Sequence, residues 1–382
     1  MKIPNGWKKI KFGDVVSKIN DKVPNREEWT FDRYIGGQHF DEGEIRITRS
    51  SPIEGYEEVI GSAFHMRFKP GQVLYVTRNP RLRKGGMVNF EGVCSNVSFV
   101  MEADEKQLLQ SLLPFIIQTE DFVRHTTNNA HGSTNPFLNW KDIAKYEFLL
   151  PPLEEQKKIS EVLWETEDNI INSEKYLDKL KIFHEKSIIK LIYIKNKYKL
   201  IKFRDIIEFS KEKALPPYSG EKYIGLEHID SGISTCNKFF NATNVQSVTS
   251  RFKKGDILYG KLRPYLDKAV IATFDGICTT EILVFNANDK STNEFLMLHI
   301  RTKEFINYNT RLGFGTKMPR TSVDIISNYK IHLPPVNEQK YILNITDKLE
   351  KIMADIKSTI ISLKNLRNKL SNALLSGKLR LD

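Results

Sequence analysis

Two stretches of this 382-residue chain carry side chains suited to gripping a polyanion: Arg78-Asn79-Pro80-Arg81-Leu82-Arg83-Lys84 and Lys261-Leu262-Arg263-Pro264-Tyr265-Leu266-Asp267-Lys268. Base edges are read by Arg, Lys, Asn or Gln held rigidly, while phosphates are anchored by cations and loop N–H groups. Arg78, Arg81, Arg83, Lys84, Lys261, Arg263, Tyr265 and Lys268 are therefore candidate contacts to nucleic acid, although a cationic loop can equally be merely solvated. Two polar stretches are the next candidates. Thr126–Asn135 (TTNNAHGSTN) offers Asn128, Asn129, His131, Ser133 and Thr134, and its counterpart over 309–320 offers Arg311, Lys317 and Arg320. An ordinary long turn explains either stretch as well.

Other chemistries find fewer residues. His39-x-Asp41 and His228-x-Asp230 supply two potential ligands each, too few for a metal, so no metal is expected and a turn-capping role beside Gly43 and Gly232 is. Cys94 and Cys278 sit in equivalent strand-like contexts and read as buried thiols. An amino-methyltransferase needs an Asn/Asp-Pro-Pro-aromatic loop. The Pro-Pro pairs here read Leu150-Pro151-Pro152-Leu153, Leu215-Pro216-Pro217-Tyr218 and Leu333-Pro334-Pro335-Val336, and none has that acceptor. Gly313-Phe314-Gly315 does not stand between a strand and a helix, and Walker spacing is absent. No catalytic residue and no cofactor is expected in this chain.

The elements that must position these candidates occur twice. Lys11-Phe12-Gly13-Asp14 returns as Lys202-Phe203-Arg204-Asp205, and Tyr34-Ile35-Gly36 as Tyr223-Ile224-Gly225. Phe90, Gly92 and Cys94 return as Phe274, Gly276 and Cys278. Residues 118–159 align without a gap to 301–342 with 14 identities in 42 positions, where unrelated sequence gives about three on average residue usage. This is a tandem duplication.

Each copy has two parts. Short β-type runs such as Gln72–Val76 and Asp256–Tyr259, punctuated by Gly, Pro and Asn, predict a mixed α+β globule with one short helix within Glu105–Arg124 or Asn293–Tyr308. After the Pro-Pro pair come Glu154-Glu155-Gln156 or Asn337-Glu338-Gln339, suited to the positive end of a helix dipole. The apolar residues then step by threes and fours. In the second copy they run Ile342, Ile345, Leu349, Ile352, Ile356, Thr359, Leu363, Leu366, Leu370, Ala373; in the first, Ile159, Leu163, Thr166, Ile170, Ser173, Leu177, Leu180, His184, Ser187, Leu191. That period predicts two long helices packed as a coiled coil. The expected division is globules over 1–153 and 199–336 and spacer helices over 154–198 and 337–382. Glu155, Gln156, Leu177, Leu180, Glu338, Gln339, Leu349, Ile356, Leu363 and Leu370 are the candidate helix-packing or partner-binding positions. Antiparallel pairing of the helices would set the two globules at opposite ends of a rod, an internal pseudo-two-fold.

Composition bounds the partners. The chain holds 58 Lys+Arg against 47 Asp+Glu, a net charge of +11, which favours a polyanion without proving one. No stretch approaches the ~20 apolar residues of a membrane span. The opening MKIPNGWKKIKFGD lacks the apolar core of a signal peptide, and three cysteines fit a reducing compartment, so a cytoplasmic location and no membrane partner are expected.

The paired Leu-Pro-Pro-x-x-Glu-Gln-Lys boundaries, the Gly255–Leu266 segment (GDILYGKLRPYL) and Gly132-Ser133-Thr134-Asn135-Pro136 resemble the DNA-specificity subunit of type I restriction–modification systems across essentially the whole chain. The resemblance implies an α+β fold with two target-recognition domains separated by a pair of long antiparallel coiled-coil helices, each domain reading one half of a split double-stranded DNA site. It further implies docking of two adenine-N6 methyltransferase (modification) subunits on the helices, where S-adenosylmethionine would bind, and a restriction/translocase subunit joining that core. The first copy departs from the family's Lys-Leu-Arg-Pro pattern, having Thr77-Arg78-Asn79-Pro80. The other class open to the sequence is a coiled-coil scaffold whose globules bind proteins, with affinity indifferent to salt.

Overall fold

In the computed structural model, which describes residues 3–55, 58, 60–193, 198–315 and 317–381, the chain divides into two compact units. One comprises residues 1–175 with 356–382, the other 176–355. Each holds one globule and a segment of each long helix.

In the first unit Lys8–Lys11 pairs antiparallel with Glu147–Leu150, closing the globule next to the start of the long helix. A five-stranded sheet runs in the order Val16–Ile19, Ser98–Ala103, Val73–Val76, Gly85–Val88, Arg46–Ile47. A four-stranded sheet runs Ser51–Pro52, Arg33–Ile35, Gly92–Ser95, Phe64–Phe68. The second unit has the same plan. Lys199–Lys202 pairs with Lys330–Leu333, and a five-stranded sheet runs Ile207–Phe209, Ile282–Ala287, Ile257–Gly260, Ala269–Ala272, Thr235–Cys236. Its remaining sheet, Phe240–Asn241, Lys222–Ile224, Gly276–Thr279, Thr249–Phe252, adds one edge strand, Lys213–Ala214.

The shared glycine of the repeat has a steric cause. A Cβ on Gly92 would lie 2.6 Å from the Arg33 carbonyl oxygen and 2.8 Å from the Phe68 ring; on Gly276 it would lie 2.5 Å from the Lys222 oxygen and 2.8 Å from Phe252. Only glycine admits the neighbouring strand and ring together.

Each core is organised around the same aromatic trio. Tyr75 and Phe122 meet edge-on at 5.8 Å, and Phe122 meets Tyr146 at 5.1 Å. In the second unit Tyr259 and Phe305 meet at 5.8 Å, and Phe305 and Tyr329 at 4.8 Å. Phe12 and Phe203 complete the sets, both fully buried. Such pairs contribute about 0.5–1.5 kcal/mol beyond their burial, so the duplication visible in the sequence is a duplication of packing.

The single short helix expected within Glu105–Arg124, and within Asn293–Tyr308, is two successive helices in each case. Leu113–Ile116 precedes Glu120–Asn128, and Asn293–Ile300 precedes Lys303–Leu312. The break falls at Thr119 and Thr302, whose backbones are extended. Each hydroxyl accepts from the N–H three residues on, Phe122 at 3.4 Å and Phe305 at 3.2 Å, and donates back to the preceding turn at Ile116 or His299. One threonine thus ends one helix and starts the next.

The two spacer segments hold helices Leu153–Ile192 and Val336–Leu375, 40 residues each. Residues 194–197 of the first segment lie outside the described residues. Where the helices meet they run antiparallel. In the first unit Glu167 pairs with Arg367 and Glu174 with Lys364; in the second, His184 faces Glu350, and Ile192 packs with Ile342. The seam of the second helix differs from the sequence expectation. Ile352, Thr359 and Leu366 are exposed, and the next residues, Met353, Ile360 and Arg367, turn inward, followed by Leu374. At 3.6 residues per turn both the third and the fourth residue after each of Leu349, Ile356, Leu363 and Leu370 lie near the seam. The fourth wins because Arg367 has a buried acid to meet and Leu374 a place in the core of the first globule.

Candidate nucleic-acid interface

In both units the cationic loop and the polar loop fold against each other. After strand Val73–Val76 the chain enters a left-handed residue, Asn79 (φ 50°), makes a one-turn helix Pro80–Leu82, and leaves through another, Arg83 (φ 51°). After Ile257–Gly260 it does the same with Arg263 (φ 51°), Pro264–Leu266 and Asp267 (φ 48°). These four are the only non-glycine residues with positive φ among the described residues. Proline presets the turn, and the brackets on either side reverse the chain over a few residues.

The polar stretch forms a small hairpin beside this turn. His131 and Phe137 exchange backbone bonds of 2.8 and 2.9 Å, as do Phe314 and Arg320 at 3.0 and 2.9 Å. The hairpin is sewn to the loop by Asn79 N donating to Pro136 O (2.8 Å) and Leu138 N to Thr77 O (3.1 Å). The second unit repeats this with Arg263 N to Pro319 O (2.7 Å) and Thr321 N to Lys261 O (3.0 Å). Gly132 and Gly315, at φ 89° and 93°, turn the two hairpins.

The candidates thus converge on one surface per unit, but they are not equivalent. Arg81 and Tyr265 occupy the same place, exposed in the middle of each turn. Arg78 is exposed, lies 5.2 Å over the Phe137 ring and donates to Asn135 O at 3.4 Å. Asn128, Asn129, His131, Ser133, Thr134, Arg311 and Lys317 are exposed; Asn129 caps its own helix through His125 O. The remaining cations are engaged internally. Arg83 pairs with Glu120 at 2.7 Å, Lys84 donates to Gly37 O, Lys268 to Leu226 O, and Arg320 pairs with Glu281 at 3.1 Å. Arg263 buries its Nε without a partner among the described residues. Lys261 is half-buried.

The first-copy departure from Lys-Leu-Arg-Pro has a structural counterpart. Arg83 at the first loop exit pairs with Glu120 of the next helix, whereas the equivalent Asp267 pairs at 2.9 Å with Arg301, which stands where the first unit has Gln118, so the two loop exits are held by different partners. Burial raises the Asp267 carboxyl while Arg301 pulls it back. His131 Nε2–H donates to the Asp142 carboxylate at 2.9 Å. Burial acts to raise Asp142, but the Asn139 amide and His131 outweigh it and hold the carboxyl below its usual range.

The His-x-Asp pairs act within turns. His39 Nδ1 accepts from Gly36 N–H and His228 Nδ1 from Gly225 N–H, both at 2.9 Å, while Asp41 pairs with Arg49 and Asp230 with Lys238. Among the described residues no three His, Cys, Asp or Glu groups gather as metal ligands. Burial pushes the Cys94 and Cys278 thiols up to about 12.

The helix candidates split into clamps and seam. Gln156 and Gln339 are fully buried. Gln156 accepts from Leu109 N–H (2.9 Å) and donates to Gln107 O and Pro151 O; Gln339 accepts from Ser291 Oγ (3.0 Å) and donates to Lys290 O and Pro334 O. Each amide thereby fastens the start of its helix to its globule. Glu155 accepts from Trp7 Nε1 and pairs with Arg380, and Glu338 accepts from Tyr198 OH. Leu177 is buried in the seam, and Leu180, Leu349, Ile356, Leu363 and Leu370 are half-buried. Sequence reasoning missed Phe137 and the left-handed backbone at Asn79, Arg83, Arg263 and Asp267; the shared Pro-x-Leu at 80–82 and 264–266 was the available signal.

Two copies of one α+β domain, each carrying a matched loop-and-hairpin surface and ending in a long helix, define a protein of duplicated recognition. The chain belongs to the type I restriction modification DNA specificity family, whose domain model matches residues 4–181 and 195–365. It is similar to the EcoDI type I restriction enzyme specificity subunit of Escherichia coli, 25% identical over 320 residues and 70% of each chain. It is likewise similar to the MjaVIII specificity subunit of Methanocaldococcus jannaschii, 22% identical over 428 aligned positions covering 100% of this chain and 94% of that one. In fold it matches a chain from a structure reported for the complex assembly and conformational transition of a type I R-M system, with a TM-score of 0.66 at 15% identity over 99% and 100% of the two chains. Members of this family are in general non-catalytic. No helix among the described residues is long and apolar enough to cross a membrane.

Proposed function

We propose that this specificity subunit reads a bipartite double-stranded DNA target, each globule contacting one half-site through its paired loop and hairpin. The observation that carries this reading is the repeated bracket of left-handed residues around Pro80–Leu82 and Pro264–Leu266, stitched in both units to the neighbouring hairpin. A rigid loop pair is what base readout requires, because a mobile side chain loses its hydrogen bond to entropy. Arg78, Arg81, Arg311 and Lys317, exposed on these surfaces, supply phosphate or base contacts; Arg83, Lys84, Lys268 and Arg320 shape the loops.

In this reading the two long helices set the number of base pairs between half-sites and dock two adenine-N6 methyltransferase subunits. S-adenosylmethionine and the methyl-transfer chemistry belong to those subunits, which take the adenine out of the stack, and cleavage belongs to a restriction/translocase subunit. The test is the salt dependence of binding by the assembled complex. A DNA reader loses affinity steeply, log K falling by about 0.9 per neutralised phosphate, whereas salt-independent binding would favour a protein-binding scaffold.

A further inference from the structure

The two hairpins share a backbone and differ in chemistry. Asn129, His131 and Asn135 of the first correspond to Leu312, Phe314 and Met318 of the second. These three apolar side chains are 46%, 59% and 43% exposed, on a hairpin held at both ends by the Phe314–Arg320 pair and by Arg263 N–H on Pro319 O. Arg320 is further fixed by Glu281, and Gly315 sits at φ 93°, where a Cβ would lie 3.1 Å from Met318 O. The base of the hairpin is thus pinned, and exposed Arg311 and Lys317 stand beside its apolar side chains in sequence.

An exposed aromatic and thioether on a hairpin with two cations is poorly suited to water and well suited to one feature of the major groove. The thymine C5-methyl is the apolar group displayed on base edges there, and Phe-type contacts to it are a known mode of readout. We propose that Phe314 and Met318 are specificity residues of the second domain and select thymine in its half-site by packing on the C5-methyl, with Arg311 and Lys317 on the adjoining phosphates. The first domain, with two amides and an imidazole at the equivalent places, makes no such selection. This rests on the DNA-reading function proposed above.

The test uses the full chain assembled with its modification subunits. The target is first recovered by enrichment from a random duplex library, and each thymine of that target is then replaced singly by uracil, which keeps pairing and removes only the methyl. At least one replacement in the second half-site should weaken binding about fourfold, the factor for one buried methyl. Phe314→Ala or Met318→Ala should weaken binding to the unmodified target and abolish that uracil penalty, while penalties in the first half-site stay as they were. Unchanged thermal melting of both variants keeps the comparison free of folding effects. The inference is overturned by a second half-site without thymine, by silent replacements throughout it, or by a penalty that persists in both variants. Loss of modification-subunit binding in Phe314→Ala with the uracil penalty intact would also overturn it, marking a protein contact instead. A library with no enriched sequence would sink the DNA-reading function itself.

Discussion

Glu167 and Arg367 meet at 2.6 Å across the antiparallel helices of the first unit, both side chains buried, and Arg367 also donates to the Gly43 carbonyl of the globule at 2.9 Å. The repeat carries these positions to Glu350 and His184, which face each other at 3.9 Å in the second unit. One seam position therefore holds a guanidinium in one unit and an imidazole in the other. The first unit's helices and globule are joined by a buried charge that its counterpart lacks.

Arg367→Ala should accordingly destabilise the first unit by about 3–5 kcal/mol, because it leaves Glu167 buried without a counter-charge. The double variant Glu167→Met with Arg367→Met should recover most of that loss. Hydrogen exchange over 153–175 and 356–375, together with thermal melting, checks both, and a double variant no better than the single would refute the assignment.

Acid should loosen the second unit through His299. Its ring is fully buried, neither nitrogen has a partner among the described residues, and burial, aided by His332, lowers its pKa to about 3. The unfolded chain takes up a proton near the ordinary imidazole value of 6.5 that the folded unit refuses. Stability is therefore complete above that pH and falls as pH drops toward 3, by about 1.4 kcal/mol per pH unit. His299→Phe, placed between Tyr193 and Phe295, should flatten this slope in melting curves between pH 6.5 and 4.

The amide clamps should be costly to remove. Gln339→Ala strands Lys290 O, Pro334 O and the Ser291 hydroxyl, and Gln156→Ala strands Gln107 O, Pro151 O and the Leu109 N–H. Each variant should lose about 1–3 kcal/mol for every group left buried and unsatisfied, read as a lowered melting temperature of its own unit.

Much of this architecture was legible because duplication writes the same constraint twice. Phe12/Phe203, Gly92/Gly276 and Gln156/Gln339 recur since each copy needs the same core, strand approach and clamp. The helix break at Thr119/Thr302 was hidden because the polar runs Gln118–Asp121 and Arg301–Glu304 read equally as the solvent face of one continuous helix, while the capping hydroxyl is a single atom. The true seam was hidden because a pattern of apolar residues counts Leu366 and passes over Arg367, whose burial depends on an acid 200 residues away in sequence. The loop surface was legible in charge but not in pairing: nothing in the sequence says that Arg83 spends its guanidinium on Glu120 while Arg81 stays exposed.

That difference is testable. Arg81→Ala should reduce the salt slope of DNA binding by about 0.9, the loss of one phosphate contact. Arg83→Ala should leave the slope unchanged and lower the melting temperature of the first unit. Equal slopes for Arg81→Ala and the unaltered protein would remove Arg81 from the interface.

The most direct measurement is the sequence methylated by the assembled system after residues 8–150 and 199–333 are exchanged within the chain. If each globule reads its own half-site, the two halves of the methylated target trade places and the spacing between them is kept. A target that stays in its original order, or a loss of methylation by a complex that still assembles and binds DNA, would contradict the two-reader account.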